Sequence, residues 1–295
     1  MVSFRGRLIN AALRRSRYKD NMIKAIKKGF RRRGYPTDKM RARHKIAETQ
    51  LSGRDVYHIH PSNGRDGSAA ERIILYFHGG AYFYDIMAEH FAALAKLSDE
   101  SKTTIIAPSY PMAPEHNAQD ILDFAAALWR DTRAAHPNTK IILAGDSAGA
   151  GLAVQLSQYL KRDGKDNAAA LMLWSPWVDV SMTNSAVKAA DANSVIIGYD
   201  GVLMAAKLYA GKRNLTDPLC SPMYGDLSGL PPMHIWAGGR DLLYPDIIKF
   251  SGMVKAAGTP VFLREAAGQN HMWMFMPQPE AKVVMRQTSA AITAA

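Results

Sequence analysis

The chain lacks the features that mark a secreted or membrane-spanning protein. It has a single cysteine, Cys220, in 295 residues, so no internal disulfide can form, which is typical of a reducing compartment. No apolar run approaches the ~20 residues that a membrane-spanning helix requires. The opening stretch, MVSFRGRLINAALRRSRYKDN, lacks the apolar core and small-residue cleavage site of a secretory signal. We therefore expect a cytoplasmic protein without a membrane span.

Low-complexity tracts are also absent, and the charged fraction is modest. Apolar residues make up 47% of the sequence and charged residues 21%, a composition that excludes an intrinsically disordered chain. A chain of this length can bury one large core or two modest ones. We therefore expect a globular protein.

The excess of positive charge lies in the N-terminal segment alone. Residues 1–45 contain 16 Lys or Arg and two acids, a balance of +14, whereas the rest of the chain carries 21 basic and 24 acidic groups, a balance of −3. Residues 46–295 therefore do not form the basic surface that nucleic acid would favour, and we expect no specific nucleic-acid partner. Apolar and basic helical faces alternate in the segment, which suits a cover over an active site or a weak contact with an anionic membrane. A mitochondrial presequence is a third, weaker alternative.

Six short apolar runs predict strands that are buried on both faces. They are RIILYF (72–77), TTIIAPSY (103–110), KIILAGD (140–146), ALMLWSP (170–176), MHIWAG (233–238) and VFLREA (261–266). Helical patterns separate these runs, and segments near 46–60 are candidate edge strands. The alternation predicts an α/β protein with a mostly parallel, doubly wound sheet, whose chemistry gathers at the C-terminal strand ends. Residues 181–215 interrupt the alternation, and we interpret them as an insertion over that edge.

The sequence AGDSAG, residues 144–149, lies at a predicted strand-to-helix turn. KIILAG precedes Ser147 and AGAGLAVQLSQYL follows it. Gly145 and Gly149 remove the side chains that would collide in so sharp a turn, and Ser147 projects from its apex. The N terminus of the following helix offers unpaired N–H groups to a developing negative charge. We therefore predict that Ser147 is a nucleophile and that this is more than a tight turn.

A serine nucleophile needs a base, and the base needs an acid to orient it. Only two histidines follow Ser147 in the sequence. His271 lies in the polar turn GQNHMW after the last predicted strand, and we predict that it is the base. His234 lies inside the apolar run MHIWAG, where a core histidine is the better interpretation.

Asp241 is the predicted acid because it directly follows the strand MHIWAG, at a C-terminal strand end. Asp246 is the nearest rival, and we interpret it as a cap or first-turn acid of the next helix. Asp217, in TDPL, is interpreted as a turn residue. Asp146 is too close in sequence to the nucleophile to reach the base.

The loop FHGGAYF, residues 77–83, ends the strand RIILYF with two glycines. Acyl transfer needs donors for a tetrahedral oxyanion, and exposed backbone N–H groups are a common solution. This loop and the N–H of Ala148, the residue after the nucleophile, are the predicted donors, with a simple tight turn as the alternative. His78 is expected to fix the loop by hydrogen bonding.

Taken together, these segments resemble the hormone-sensitive lipase family of α/β-hydrolases, the bacterial carboxylesterases in particular. The resemblance rests on HGGAYF, YPMAPEH, GDSAGAGLA, WSPWVDVS, SPMYGDLSGLPP and AGGRDLLYPD, over roughly residues 70–275. It implies an α/β-hydrolase fold, a mostly parallel doubly wound sheet with a small helical cap. The cap would comprise basic N-terminal helices in 1–45 and an insertion at about 181–215 of a catalytic domain spanning 46–295.

The resemblance also implies the roles of individual residues. The implied catalytic triad is Ser147, Asp241 and His271, and the implied oxyanion donors are Gly79, Gly80, Ala81 and Ala148. The family loop commonly ends in a third glycine where this chain has Ala81. A positive φ there would be unfavourable by about 1 kcal/mol for alanine. Met272, Trp273 and Met274, beside the base, are interpreted as core residues, with a lining of the pocket as the alternative.

The expected activity is that of a serine carboxylesterase for short-chain esters, acting on a small-molecule substrate without metal or cofactor. The same triad leaves an amidase, a lactonase or a thioesterase open. A non-catalytic ligand receptor on the same fold is a further alternative, against which His271 argues. The oligomeric state is left open, and a homodimer is compatible with the sequence.

Overall fold

One sheet of eight strands organises the protein, whose computed structural model describes residues 2–63, 71–164 and 166–295. The strand order is β1-β2-β4-β3-β5-β6-β7-β8. The strands are β1 (Ala47–Leu51), β2 (Arg54–Ile59), β3 (Arg72–Phe77), β4 (Thr104–Pro108), β5 (Lys140–Asp146), β6 (Leu171–Trp174), β7 (Met233–Gly238) and β8 (Val261–Ala266). Strand β2 pairs antiparallel with both β1 and β4, and the remaining neighbours pair in parallel. The prediction of a mostly parallel sheet with edge strands near 46–60 is therefore confirmed.

Helices cover both faces of the sheet and connect its parallel strands. They are α1 (Phe4–Arg15), α2 (Asn21–Lys28), α3 (Asp38–His44), α4 (Ala88–Ser101), α5 (Ala118–Ala135), α6 (Ala148–Arg162), α7 (Ser185–Ala190), α8 (Tyr199–Ala210), α9 (Tyr244–Ala256) and α10 (Pro279–Ala294). Short 3-10 turns lie at Tyr18–Asp20, Pro222–Tyr224 and Trp273–Phe275. Apolar side chains pack in one cluster on each face of the sheet, so the chain forms the doubly wound arrangement that its pattern predicts.

The central strands are buried, as their apolar sequences predict, whereas the edge strand β8 is not. Every residue of β6 is buried, and five of the six in β3 are. Strand β8 has no buried residue, and its Phe262 is 49% exposed. The prediction that β8 is buried on both faces is therefore wrong. It lies at the edge of the sheet with β7 as its one neighbour, which leaves Arg264 and Glu265 room to reach solvent.

The N-terminal segment lies against the insertion that interrupts the strand alternation. Helix α2 packs against α8, where a Cβ atom on Gly201 would lie 3.3 Å from the Met22 side chain. The Lys19 ammonium binds the Asp191 carboxylate at 2.7 Å, just beyond α7. These contacts bring the N-terminal segment and the insertion side by side.

Candidate active site

Ser147 lies at the sharp turn between β5 and α6, with the strained backbone angles φ 49° and ψ −117°. A Cβ atom on Gly149 would lie 2.0 Å from the Phe77 carbonyl oxygen, and one on Gly145 would lie 2.5 Å from the Gly149 backbone. Only glycine fits at such distances, so the alternate glycines allow the strand and helix to approach closely. Strain of this kind persists where surrounding structure enforces it, often at functional sites. The turn therefore has the geometry of a nucleophile elbow.

His271 and Asp241 form a buried hydrogen-bonded pair. His271 Nδ1 lies 2.8 Å from Asp241 Oδ2, and the other carboxylate oxygen accepts the Leu243 N–H at 3.0 Å. Asp241 follows β7 and His271 follows β8, so adjacent strands bring the two together. Because the carboxylate accepts from Nδ1–H, Nε2 is left to exchange a proton with another group. His271 and Ser147 line the same cavity.

The structure keeps Asp246 and His234, the rival acid and base, away from that cavity. Asp246 lies in the first turn of α9, as predicted, and accepts a hydrogen bond from Asn184 at 2.8 Å. Burial, aided by nearby Asp179 and opposed by the Asn184 bond, raises the pKa of Asp246 to about 6. His234 stacks on Phe262 with ring centroids 4.6 Å apart, and burial lowers its pKa to about 4.

The glycine loop after β3 has three consecutive residues with positive φ. Gly80 has φ 126°, and Ala81 and Tyr82 each have φ 57°. Ala81 therefore adopts the backbone conformation that makes alanine unfavourable at this position. Gly80 and Ala81 line the cavity. Ala148 is the first residue of α6, so its N–H has no acceptor within that helix.

Gly79 differs from the other predicted donors because its N–H is already used. It donates to Asp146 Oδ1 at 2.8 Å, and a Cβ atom on Gly79 would lie 2.0 Å from Oδ2 of the same carboxylate. This geometry ties the loop to the elbow and leaves Gly80, Ala81 and Ala148 as the amides available to an oxyanion. Nothing in the sequence indicated this contact, because it joins residues 67 positions apart.

Asp146 is a buried carboxylate that sequence reasoning did not assign to the site. It accepts hydrogen bonds from the Tyr76 hydroxyl and the Gly79 amide, and His90 Nε2 lies 3.6 Å away. Burial alone would raise the pKa of Asp146, but the nearby His90 and these hydrogen bonds outweigh it, so the pKa is lowered. Asp146 therefore remains ionised and acts as an anchor for the loop. Its place beside Ser147 in the motif is the one sequence signal that points to it.

His78 holds the same loop from its other side, as the sequence predicted. Its Nδ1 donates to the Gly79 carbonyl at 2.7 Å, and its ring stacks on Tyr110 with centroids 4.2 Å apart. The Tyr110 hydroxyl donates to the His78 carbonyl at 2.6 Å. Complete burial lowers the pKa of His78 to about 4. These contacts make His78 a positioning residue.

The cavity above Ser147 has a volume of about 880 Å³. Helix α2 lines it through Met22 and Ala25, and the insertion contributes Ile196, Ile197 and Val202. Met272 is partly buried and lines the cavity, so the pocket-lining alternative holds for it, whereas Trp273 and Met274 are buried in the core, as predicted. Nothing in the sequence indicated that Lys24, Lys28 and Arg32 are among the lining residues.

Over residues 2–63, 71–164 and 166–295, no three His, Cys, Asp or Glu side chains are grouped so that they could hold a metal ion. Within those same ranges, no helix has the length and apolar character needed to cross a membrane. Cys220 is buried and free.

Residues 74–275 match the model of a family described by the alpha/beta hydrolase fold. The chain is 32% identical to an acetyl-hydrolase of Streptomyces hygroscopicus, over 68% of either chain. It is 29% identical to an esterase of Acinetobacter venetianus, over 73% of this chain and 72% of that one.

Solved structures of esterases superpose on most of the chain. A hormone-sensitive lipase homologue from a metagenome library, EstE7, has a TM-score of 0.84 and 25% identity, and covers 100% of this chain and 99% of its own. An esterase of the bacterial hormone-sensitive lipase family has a TM-score of 0.79 and 28% identity over 84% of each chain. The chain therefore belongs to the α/β-hydrolases, in their hormone-sensitive lipase family. This makes it a carboxylic-ester hydrolase.

Proposed function

We propose that the protein hydrolyses carboxylic esters through a serine nucleophile and an acyl-enzyme intermediate. Ser147 attacks the ester carbonyl, while His271 takes the serine proton and gives it to the leaving alcohol. Asp241 orients the imidazole and stabilises its charged form. Water, activated by the same histidine, then attacks the acyl-enzyme and releases the acid.

The single observation that best supports this proposal is the 2.8 Å bond between His271 Nδ1 and Asp241 Oδ2 beside the cavity that Ser147 lines. A receptor would have no use for a buried imidazole held in one tautomer next to a strained serine. The triad geometry does not by itself distinguish ester, amide, lactone and thioester bonds. The esterase names of the relatives favour the ester.

The backbone amides of Gly80, Ala81 and Ala148 are the proposed oxyanion donors. Gly80 and Ala81 line the cavity with Ser147, and Ala148 is the next residue along the chain. Donors aimed at developing charge supply a large share of acyl-transfer catalysis. Gly79 is assigned a different role, since its amide holds the Asp146 carboxylate. In this mechanism Asp146 and His78 act on the reaction through the position of the loop.

The proposed substrates are esters of short acids, with roughly two to eight carbons in the acyl chain, because a partly covered cavity suits small ligands. The name of the acetyl-hydrolase relative agrees with this preference. A series of p-nitrophenyl esters of increasing acyl length, with and without a serine-directed phosphonate, tests the proposal. We expect the highest kcat/KM at short lengths and complete inhibition. Faster hydrolysis of a long-chain triglyceride than of a soluble butyrate ester would contradict the length preference.

We further propose that residues 1–45 and 181–215 form a cap over the site. The support is that α2 and the insertion both supply cavity residues and pack on each other through Met22 and Gly201. Covering an active site excludes water and positions the substrate. Helix α2 would thus form part of the acyl or alcohol pocket.

Helix α1 would serve a different purpose from α2. Gly6 is its buried residue, whereas Phe4, Leu8, Ala11 and Ala12 are exposed on one side. An exposed apolar stripe on a segment of charge +14 is suited to weak contact with an anionic membrane. The lone, free Cys220 favours a cytoplasmic location for the enzyme.

A further inference from the structure

Three cationic side chains line the catalytic cavity on the side formed by the N-terminal segment. Lys24 and Lys28 lie one helical turn apart on α2, and Arg32 follows that helix. Both lysines are exposed, so they stand where the cavity meets solvent. Ser147 and His271 line the same cavity. A substrate bound at the serine therefore shares the cavity with these cations.

Among the residues that the structure describes, Arg32 has a carboxylate close by and the two lysines have none. Arg32 bonds the Tyr18 hydroxyl at 3.1 Å and lies 3.6 Å from Glu89. Over the described residues, by contrast, no carboxylate oxygen comes within 4 Å of the Lys24 or Lys28 ammonium group. The one carboxylate among the cavity residues that the structure describes is Asp146, which is fully buried and occupied by the loop and by Tyr76.

We propose that the esters this enzyme prefers carry a negative charge away from the scissile bond, held at the cavity mouth by Lys24 and Lys28. This inference rests on the proposed ester hydrolysis at Ser147 and names its substrate class. The bond that breaks and the proton transfers are those of the acyl-enzyme mechanism. The added element is a second anchor: an apolar portion lies in the cavity among Met22, Ile197 and Val202, and an anionic end pairs with lysine at the rim.

A rim of lysines raises the local concentration of an anionic substrate and selects against a neutral one. Each exposed charge pair is weak in water, so about a threefold to fivefold preference per lysine is expected. Dissolved salt also weakens this attraction by screening the charges. The Debye length falls from about 30 Å in 0.01 M salt to about 3 Å in 1 M salt, so the preference should disappear over that range.

The experiment compares matched pairs of esters with the full-length enzyme. p-Nitrophenyl half-esters of succinate, glutarate, adipate and pimelate place a carboxylate at increasing distances from the reacting carbonyl. p-Nitrophenyl esters of monocarboxylic acids with the same chain lengths are the neutral partners. A second pair, 1-butyrylglycerol 3-phosphate and 1-butyrylglycerol, tests a phosphate on the alcohol side. The measured quantity is the ratio of kcat/KM for the anionic ester to that for its neutral partner.

The variants are Lys24→Gln with Lys28→Gln, and Lys27→Gln as the matched control. Lys27 is an exposed lysine of the same helix that does not line the cavity. We expect the ratio in the wild-type enzyme to peak at one chain length and to fall with added salt. The double variant should lower that peak by about tenfold, whereas Lys27→Gln should lower it less than twofold.

Three results would overturn the inference. The first is a ratio that is independent of chain length and salt, and the second is a double variant that keeps the wild-type ratio. In the third, the ratio falls equally in both variants, which would assign the preference to the overall charge of the segment. If the wild-type enzyme hydrolyses the neutral esters well and shows no preference, only the inference fails. If it hydrolyses neither class, the proposed function fails as well.

Discussion

Asp241 and Asp246 lie five positions apart around the start of α9, and their surroundings give them different properties. Both oxygens of Asp241 are used, by His271 and by the Leu243 amide. Asp246 accepts one bond from Asn184, and its Oδ2 has no partner among the described residues. The Asp241 carboxylate is thus paired with His271, whereas burial destabilises the ionised form of the Asp246 carboxylate.

We predict that Asp241→Asn lowers kcat by about 10²-fold to 10⁴-fold, because an amide in place of the carboxylate favours the wrong imidazole tautomer. Asp246→Asn is the matched control and should change kcat less than threefold. Steady-state hydrolysis of p-nitrophenyl butyrate measures both. If Asp246→Asn were the crippling change, the assignment of the acid would be wrong.

The stability of the protein should also respond to Asp246. Its pKa is raised to about 6 in the folded protein, above the ~3.9 of an unfolded chain. The folded state therefore holds a proton that the unfolded state has lost, so this group's contribution to stability decreases as pH rises from about 4 to about 6. Asp246→Asn removes that titration.

We therefore predict that Asp246→Asn raises the free energy of unfolding by about 1 to 2 kcal/mol more at pH 8 than at pH 4. The amide keeps the bond from Asn184 without the buried charge. Urea unfolding of the variant and the wild type at both pH values measures the difference. A change of equal size at the two pH values would show that Asp246 does not titrate in this range.

Residue-level features were predictable from the sequence where they depend on near neighbours. The elbow around Ser147 needs only adjacent glycines. A positive φ at Ala81 was considered only as a condition, because the family loop commonly has a third glycine there, and Ala81 adopts it. The bond between the Gly79 amide and Asp146 was not predictable, since it depends on how two strand ends meet in space. The position of Lys24, Lys28 and Arg32 at the cavity was not predictable for the same reason.

Among the secondary-structure elements, α1 and α2 are adjacent helices of similar composition that occupy unlike environments. Helix α2 turns Met22 and Ala25 toward the cavity. Helix α1 is attached at its start by the Ser3 hydroxyl, which donates to Glu280 at 2.9 Å, and it leaves Phe4 70% exposed and Leu8 55% exposed. Sequence periodicity identifies both apolar faces, but it cannot say which one the body of the protein covers.

We predict that deletion of residues 1–34 lowers kcat/KM for short esters at least about tenfold or makes the protein insoluble, because the cavity loses a wall. Deletion of residues 1–17 keeps α2 and is the control, with kcat/KM expected within threefold of the wild type. Steady-state kinetics and size-exclusion chromatography provide the measurements. Normal kinetics and solubility in the longer deletion would contradict the cap.

For α1, we predict that the double substitution Phe4→Ser and Leu8→Ser weakens binding to vesicles rich in anionic lipid by about tenfold, because it removes apolar area that enters the interface. Hydrolysis of soluble esters should be unchanged. Phe262→Ser, which alters an exposed aromatic residue on β8, is the control and should bind like the wild type. Equal vesicle binding by all three proteins in a sedimentation assay would exclude α1 as the contact.

Strand β8 shows a limit of the apolar pattern at the level of elements. VFLREA was expected to be a buried strand, yet the strand lies at the edge of the sheet without a buried residue. Strand position within a sheet depends on the order of crossovers, which a single run does not encode. The central strands are buried, as predicted, because other strands flank them on both sides and helices cover both faces of the sheet.

At the scale of the whole molecule, the sequence predicted the alternation of strands and helices, although not helices α7, α8 and α10. It also predicted that the candidate residues gather at the sheet edge formed by the C-terminal strand ends. The C-terminal ends of β5, β7 and β8 bring Ser147, Asp241 and His271 to that edge. In any parallel sheet the C-terminal ends of the strands lie at one edge. Motifs that directly follow successive strands therefore indicate residues that lie close together. The shape and charge of the cavity were not accessible, because they arise where the N-terminal segment meets the insertion.

The central claim is that Ser147 is the nucleophile of a Ser147–His271–Asp241 triad. The most direct measurement is the reaction of the full-length enzyme with a p-nitrophenyl alkylphosphonate, followed by intact mass and peptide mapping. We predict one phosphonyl group per chain, on Ser147, with loss of esterase activity in proportion to labelling, and no labelling of His271→Ala over the same period. A phosphonate on another residue, or full esterase activity in a completely labelled enzyme, would contradict the account.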